Sequence, residues 1–203
     1  MNLISNCCLN DFLLQKWDLG HTSPFAWADV DFTSFYNLLT DYDNINFWKY
    51  ELFIKLHPYY RGRAVHGVRI DDKVNITYIH YLQDENYKQP TRVGADVYCP
   101  NAAEFIDAMY RRRLKRMDIL QEDPIFILEW EHLDYNEENF MKLLNIDLKY
   151  KVAVITNNEK FKDTKKDNLL VIYDPAEKGP KGLFPTQFAE KYADTILKFI
   201  HNK

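Results

Sequence analysis

The chain has 203 residues, 46% of them hydrophobic, and a formal net charge of -4 at pH 7. That length suits one domain with a substantial core, and the acidic balance argues against bulk binding to nucleic acid, which usually requires a basic surface. Three cysteines do not make a disulfide framework and suit a reducing compartment. No apolar run is long enough to cross a bilayer. The sequence therefore predicts a cytoplasmic protein without a transmembrane segment.

Apolar stretches that alternate with amphipathic helices indicate an α/β fold. Strands are predicted at 2–4, 74–79, 124–128, 152–155 and 169–172, and helices at 10–17, 32–39 and 47–56 and after Asn101, Asn136 and Pro185. Residues 59–72 are predicted to form a loop or an irregular hairpin. Continuous apolar strands are typical of sheets covered on both faces. We therefore expect a Rossmann-like three-layer α/β fold with a mostly parallel sheet of about five to six strands.

The chain is predicted to be a single α/β domain over residues 1–203. No internal repeat and no linker rich in Pro, Gly and Ser divides it. Two small lobes that share a core, at about 1–72 and 73–203, are the alternative organisation.

Polar, chemically capable residues follow all five predicted strands. They are Ser5-Asn6-Cys7-Cys8, His80-Tyr81, Glu129-Trp130-Glu131-His132, Thr156-Asn157-Asn158 and Tyr173-Asp174. In an open α/β sheet, ligands bind in the crevice outside the carboxyl ends of the strands. If the strands are parallel neighbours, these residues form one candidate active site. For any single strand, the alternative is that polar residues only mark the start of a loop.

A thiol nucleophile is one candidate at this edge. Cys7 and Cys8 lie where the first strand turns into the first helix, and the positive end of a helix dipole stabilises a thiolate and lowers its pKa. In this hypothesis Cys8 attacks, His80 is the base and Glu131 orients the base. The alternative is a small buried residue at a tight crossing.

Carboxylates and arginines are the other candidates. Glu129 and Glu131 are predicted to share one face of their strand, where they could act as acid and base or hold a divalent cation. Arg113 lies close to the apolar stripe of its helix, so it needs an anionic partner, either Glu131 or a ligand phosphate. The sequence 29–31 matches the Asp-x-Asp pair of many nucleotide-sugar enzymes. It follows only one strand and Asp31 is a predicted helix cap, so no metal ligand is assigned.

The residues also suggest a family. Ile4-Ser5-Asn6-Cys7-Cys8, Leu19-Gly20, Thr22-Ser23-Pro24-Phe25, Ile79-His80-Tyr81 and the arginines Arg113 and Arg116 agree in order and spacing with it. Over about residues 2–158 the chain resembles a bacterial domain of unknown function (number nineteen-nineteen), whose members are often labelled exopolysaccharide biosynthesis proteins. Cys7 stands where that family has its second Asn, and Leu9-Asn10-Asp11 replaces its usual Trp-Gly-Gly. The resemblance implies a Rossmann-like fold and surface-polysaccharide assembly, without an established reaction.

A looser similarity is to uncharacterised papain-like cysteine peptidases. These share an N-terminal cysteine followed by a Pro-Phe-x-Trp segment, here Pro24-Phe25-Ala26-Trp27.

The leading hypothesis is a glycosyltransferase-like enzyme that uses a nucleotide-sugar donor and a glycan acceptor, in contact with other polysaccharide-assembly enzymes. No cofactor is assigned, although a divalent cation such as Mn²⁺ fits the chemistry. Glu131 or His80 is the expected base. The residues expected to bind substrate are Asn6, Ser23, Tyr81, Arg113, Arg116 and Asn157. The alternatives are a cysteine-dependent acyl hydrolase or transferase that uses Cys8, and a non-catalytic module that binds a glycan or a partner.

Overall fold

A computed structural model describes residues 1–19, 23–57, 63–82, 97–98, 101–129, 135–175 and 185–202. Only the backbone is described at 10, 57, 63, 80–82, 97–98 and 185–186. In chain order the elements are β1 (Asn2–Ser5), α1 (Leu9–Lys16), β2 (Asp29–Val30), α2 (Phe32–Asp41), β3 (Tyr50–His57), β4 (Arg63–Ile70), β5 (Val74–Leu82), β6 (Val97–Tyr98), α3 (Ala102–Leu120), β7 (Pro124–Glu129), α4 (Glu137–Leu144), β8 (Val152–Thr156), β9 (Leu169–Tyr173) and α5 (Pro185–His201).

A parallel sheet contains four of the five predicted strands. Its order is β1-β7-β8-β9, and each neighbouring pair is parallel. Apolar side chains on one face pack with α1 and α5, and those on the other face pack with α2, α3 and α4. Burial on both faces explains why these strands are almost continuously apolar in sequence.

The remaining predicted strand, β5, belongs to a second sheet. That sheet has the order β2-β5-β4-β3 with antiparallel neighbours, and β6 pairs with β5 in parallel. The mixed α/β class is therefore confirmed, but the parallel sheet has four strands rather than five to six, and the architecture differs from the predicted Rossmann-like one. In β5, apolar and polar residue types alternate over residues 74–78, which is typical of an antiparallel strand, although Thr77 is buried as well as Val74, Ile76 and Tyr78.

Residues 47–56 form no helix, contrary to prediction, because β3 begins at Tyr50 and pairs along its whole length with β4. Much of the segment 59–72, predicted as a loop or an irregular hairpin, is β4, which pairs antiparallel with β5 through an irregular register at Val65/His66, so the structure agrees with the hairpin alternative. The ring of Phe53 lies across Gly67, where an added Cβ would come within 2.4 Å of that ring and 2.6 Å of the Ile76 carbonyl oxygen. Glycine is therefore required at this point of the antiparallel sheet.

The sequence predicts helix caps at Asp31, Asn101 and Asn136, and two of the three are confirmed. The Asp31 carboxylate accepts a hydrogen bond from the Ser34 N–H at 2.8 Å, and the Asn136 side chain accepts one from the Asn139 N–H at 3.0 Å. The Asn101 cap is wrong, because its side chain makes no capping hydrogen bond to the described residues of α3, although α3 begins directly after it.

One core cluster joins the two sheets. It contains Phe126 and Val154 of the parallel sheet together with Val68 and Ile76 of the antiparallel sheet. Within the part of the chain that the structure describes, no helix has the length and apolar character needed to cross a membrane.

Candidate functional site

The carboxyl ends of β1 and β7 meet the antiparallel sheet at Asn6. The Asn6 Nδ2 donates a hydrogen bond to the Glu129 carbonyl at 2.8 Å, and the Glu129 N–H donates to Asn6 Oδ1 at 2.9 Å. The Asn6 carbonyl also accepts a hydrogen bond from the Val30 N–H of β2 at 3.1 Å. Asn6 is fully buried and thus continues the ladder between β1 and β7 while connecting both to β2.

Three buried carboxyl groups surround Cys8 beside this junction. They belong to Asp11 of α1, Asp29 of β2 and Glu129 at the end of β7, with exposed fractions of 0%, 4% and 4%. Each is close enough to Cys8 to raise the pKa of its thiol. We call Cys7, Cys8, Asp11, Asp29 and Glu129 the carboxylate–thiol cluster. Burying several carboxyl groups costs free energy unless they are hydrogen-bonded or paired, so such a concentration is typical of functional sites.

The thiols of this cluster are held in the protonated form. Burial raises the pKa of Cys8 first, and the charges of Asp11, Asp29 and Glu129 raise it further. The pKa of Cys7 is raised by burial and by Glu129, whose Oε2 accepts a hydrogen bond from the Cys7 Sγ at 3.1 Å. The prediction that the pKa of Cys8 is lowered at this helix end is therefore wrong, because burial first, and then the neighbouring carboxylates, raise it.

We expect Cys7 and Cys8 to react with iodoacetamide far more slowly in the folded protein than in the denatured protein at pH 7.5. The reason is that the thiolate is the reactive form and both thiols have raised pKa values. Peptide mass spectrometry after timed alkylation measures each site separately. Fast labelling of Cys8 in the folded protein would contradict this assignment and favour the thiol enzyme.

The same pKa shifts set the sign of a pH effect on stability. Since the pKa values of both thiols are higher in the folded state than the ordinary value of 9.0, the unfolded chain loses its protons first as the pH rises. The free energy of unfolding should then fall above pH 9 by about 1.4 kcal/mol per pH unit for each thiol. Cys7→Ala should reduce that slope, as chemical denaturation at several pH values would measure.

The loop between α1 and β2, residues 23–28, is held to the cluster at a single peptide group. The Ala26 carbonyl accepts a hydrogen bond from the Arg113 Nη1 of α3 at 2.7 Å. The N–H of the next residue, Trp27, donates to the Asp11 Oδ2 at 2.6 Å. A buried cation thus binds the oxygen of this peptide group and a buried carboxylate binds its N–H, which is the favourable orientation of the peptide dipole.

The backbone of Trp27 is strained at this point. Its φ angle is 56°, in the left-handed region that bulky residues rarely adopt and that costs on the order of 1–3 kcal/mol. Its ring packs edge-on against Phe12, with centroids 5.5 Å apart. Further bonds hold the loop, among them those from the Tyr78 hydroxyl to the Pro24 carbonyl at 2.5 Å and from the Phe25 N–H to the Ser23 hydroxyl at 3.2 Å. The loop is therefore held in one shape despite its strain.

The predicted binding residues do not all reach one surface. Asn6 and Ser23 have exposed fractions of 0% and 1% and form hydrogen bonds within the protein. In this conformation their side chains therefore have no exposed atoms that could contact sugar hydroxyls. Arg113 is mostly buried against Ala26, whereas Arg116 is exposed one turn further along α3. Asn157 follows β8 at the carboxyl edge and is partly buried.

Three predicted site residues fall where the structure does not describe a side chain. Glu131 lies outside the described residues, and only the backbone of His80 and Tyr81 is described, at the end of β5. Their roles as base and sugar contact stay predictions. The prediction that all five strand ends converge is wrong, because β5 lies in the antiparallel sheet.

Sequence reasoning missed Asp11 and the strain at Trp27. Asp11 is fully buried in a helix whose other buried residues include Leu13 and Leu14. The sequence signal for it was therefore a single acidic residue on an apolar helix face. No sequence pattern indicates the φ angle of Trp27. Among the described side chains, no group of three or more His, Cys, Asp and Glu has an arrangement that could hold a metal ion.

No protein-family model matches the chain, and no curated protein matches it.

Proposed function

We propose that the chain is a sugar-transfer enzyme of the glycosyltransferase kind, with its reaction centre beside the carboxylate–thiol cluster. The observation that carries this proposal is the concentration of buried carboxyl groups from Asp11, Asp29 and Glu129 at the carboxyl ends of β1 and β7. That edge is where ligands bind in α/β sheets. Carboxylates accept hydrogen bonds from hydroxyl groups and can remove a proton from one, which suits a sugar acceptor.

The separation of acidic and basic residues supports different binding positions for the donor and the acceptor. An acidic cluster repels a nucleotide diphosphate, so the donor phosphates would lie toward α3, where Arg116 is exposed on the helix that Arg113 anchors to the loop. The acceptor hydroxyl would lie toward the carboxylates. Glu131, two residues beyond Glu129, is the proposed base that takes the hydroxyl proton while the nucleoside diphosphate leaves. The resemblance proposed from the sequence implies the same substrate class.

Thermal shift with a panel of nucleoside diphosphates and nucleotide sugars, each with and without Mn²⁺, tests the proposal. A ligand that binds only the folded state stabilises it by about 2.7 kcal/mol at a hundredfold excess over its Kd. We expect one nucleotide family to raise the melting temperature. Arg116→Met should remove that shift, whereas Arg112→Met, an exposed control on the same helix, should keep it. If no ligand in the panel shifts the melting temperature, the proposal fails.

A binding module is the second candidate. Asn6, Ser23 and Arg113 all make hydrogen bonds within the protein, which is what a cluster that only stabilises the fold would show. Such a module predicts that glycans alone, without any nucleotide, raise the melting temperature.

A further inference from the structure

The outer edge of β3 presents a long apolar strand. Among the described residues, β3 is the last strand of its sheet, bonded to β4 on one side only. Leu52, Ile54 and Leu56 alternate along it with exposed fractions of 37%, 61% and 71%. They share the face of the sheet that carries the buried Val68 and Tyr78 further in. An exposed apolar edge strand of this length is a template for pairing with another strand.

The backbone of this edge is arranged for such pairing. The Asp71 N–H donates a hydrogen bond to the Lys49 carbonyl, and this bond shows which residues of β3 bond to β4 in the hairpin. Odd-numbered residues of β3 therefore bond to β4, and the N–H and C=O groups of Leu52, Ile54 and Leu56 point outward. The described part of the chain supplies no partner for these main-chain groups, which thus occur together with apolar side chains on this edge.

We propose that two copies of the chain pair antiparallel along β3, about a two-fold axis at Phe53. In this register, Glu51 of each copy faces Lys55 of the other, and Leu52 faces Ile54. This register is compatible with the backbone. The even-numbered residues, whose N–H and C=O groups point outward, face one another across the two strands and can exchange hydrogen bonds. Both kinds of pair, opposite charges and apolar side chains, stabilise neighbouring strands.

Self-complementarity is what selects a second copy as the occupant. A two-fold interface places residue i against j and j against i, so one strand must match itself in reverse. The sequence Glu51-Leu52-Phe53-Ile54-Lys55 does so around Phe53. A register centred on Lys55 would instead set two lysines opposite each other, which is unfavourable. Since the strand has eight residues, the dimer should be reversible and depend on concentration.

Analytical ultracentrifugation over a concentration series tests this dimer. We expect the wild-type mass to rise from 24.3 kDa toward twice that value. Ile54→Pro should remain at the monomer mass, because it removes an outward N–H that β4 does not use, whereas Ile54→Val should dimerise like the wild type. Circular dichroism checks that the proline variant is folded.

A charge exchange tests the register without proline. Lys55→Glu should raise the dimer Kd about tenfold by setting Glu against Glu51 of the other copy, and adding Glu51→Lys should recover most of the affinity. A wild type that stays monomeric throughout the series would overturn the proposal. A dimer that survives both Ile54→Pro and Lys55→Glu would overturn it as well, since it must use another surface.

Discussion

Asp11→Ala should lower the free energy of unfolding by about 3 kcal/mol, measured by urea denaturation. The fully buried Asp11 carboxylate accepts the Trp27 N–H at 2.6 Å and holds that residue at a φ of 56°. Its removal leaves a buried donor unsatisfied and a strained backbone unsupported. Asp11→Asn keeps an acceptor of the same size, so it should cost less than half as much.

Arg113 holds the other end of the same peptide group, so the two residues should be energetically coupled. Arg113→Met removes the bond to the Ala26 carbonyl while retaining much of the apolar stem. In a double-mutant cycle with Asp11→Ala, we expect a coupling energy of about 1 kcal/mol or more. Arg112→Met, on the exposed side of α3, should leave stability nearly unchanged. Additive effects of the Asp11 and Arg113 variants would show that the peptide group is not held jointly.

Glu131→Gln should reduce sugar transfer by about 10² to 10⁴, the usual contribution of a general base. Cys8→Ser, in contrast, should retain activity within a few-fold, because the surrounding carboxylates keep that thiol protonated. The assay is release of nucleoside diphosphate from the donor that the thermal-shift panel selects. Glu138→Gln, an exposed residue paired with Lys142, is the matched carboxylate control.

The opposite pattern identifies the thiol enzyme. If Cys8→Ser abolishes turnover and Glu131→Gln does not, Cys8 is the nucleophile and its pKa must fall when substrate binds. Loss of activity in both variants with normal melting temperatures would place the thiol and the carboxylate in one catalytic unit.

Local sequence patterns predicted the parallel sheet well and the antiparallel sheet poorly. Continuous apolar runs such as 125–128 identify buried parallel strands because both faces are covered. The segment 47–56 combines aromatic and aliphatic residues in a pattern that fits a helix or a strand, and short apolar runs are ambiguous in this way. The segment forms a strand because it pairs with β4, and β4 lies outside the segment.

The residues of the candidate site likewise divide into those that local sequence patterns reveal and those that only the fold brings together. Cys8 and Glu129 were found from sequence because they follow strands, and a strand end is a local signal. Asp29 appeared only as part of an Asp-x-Asp match, and Asp11 was missed although it is a lone acid on the apolar face of its helix. Their proximity to Cys8 depends on how α1 and β2 fold back on the end of β1, so only the tertiary structure brings them together.

The sequence alone determined the mixed α/β class, the strands of the parallel sheet and the caps at Asp31 and Asn136, because periodicity and capping act within a few residues. Only the tertiary structure decided that Cys8 is protonated. A pKa responds to burial and to charges from distant parts of the chain, and here burial raises the pKa of Cys8 most, with further contributions from Asp11, Asp29 and Glu129.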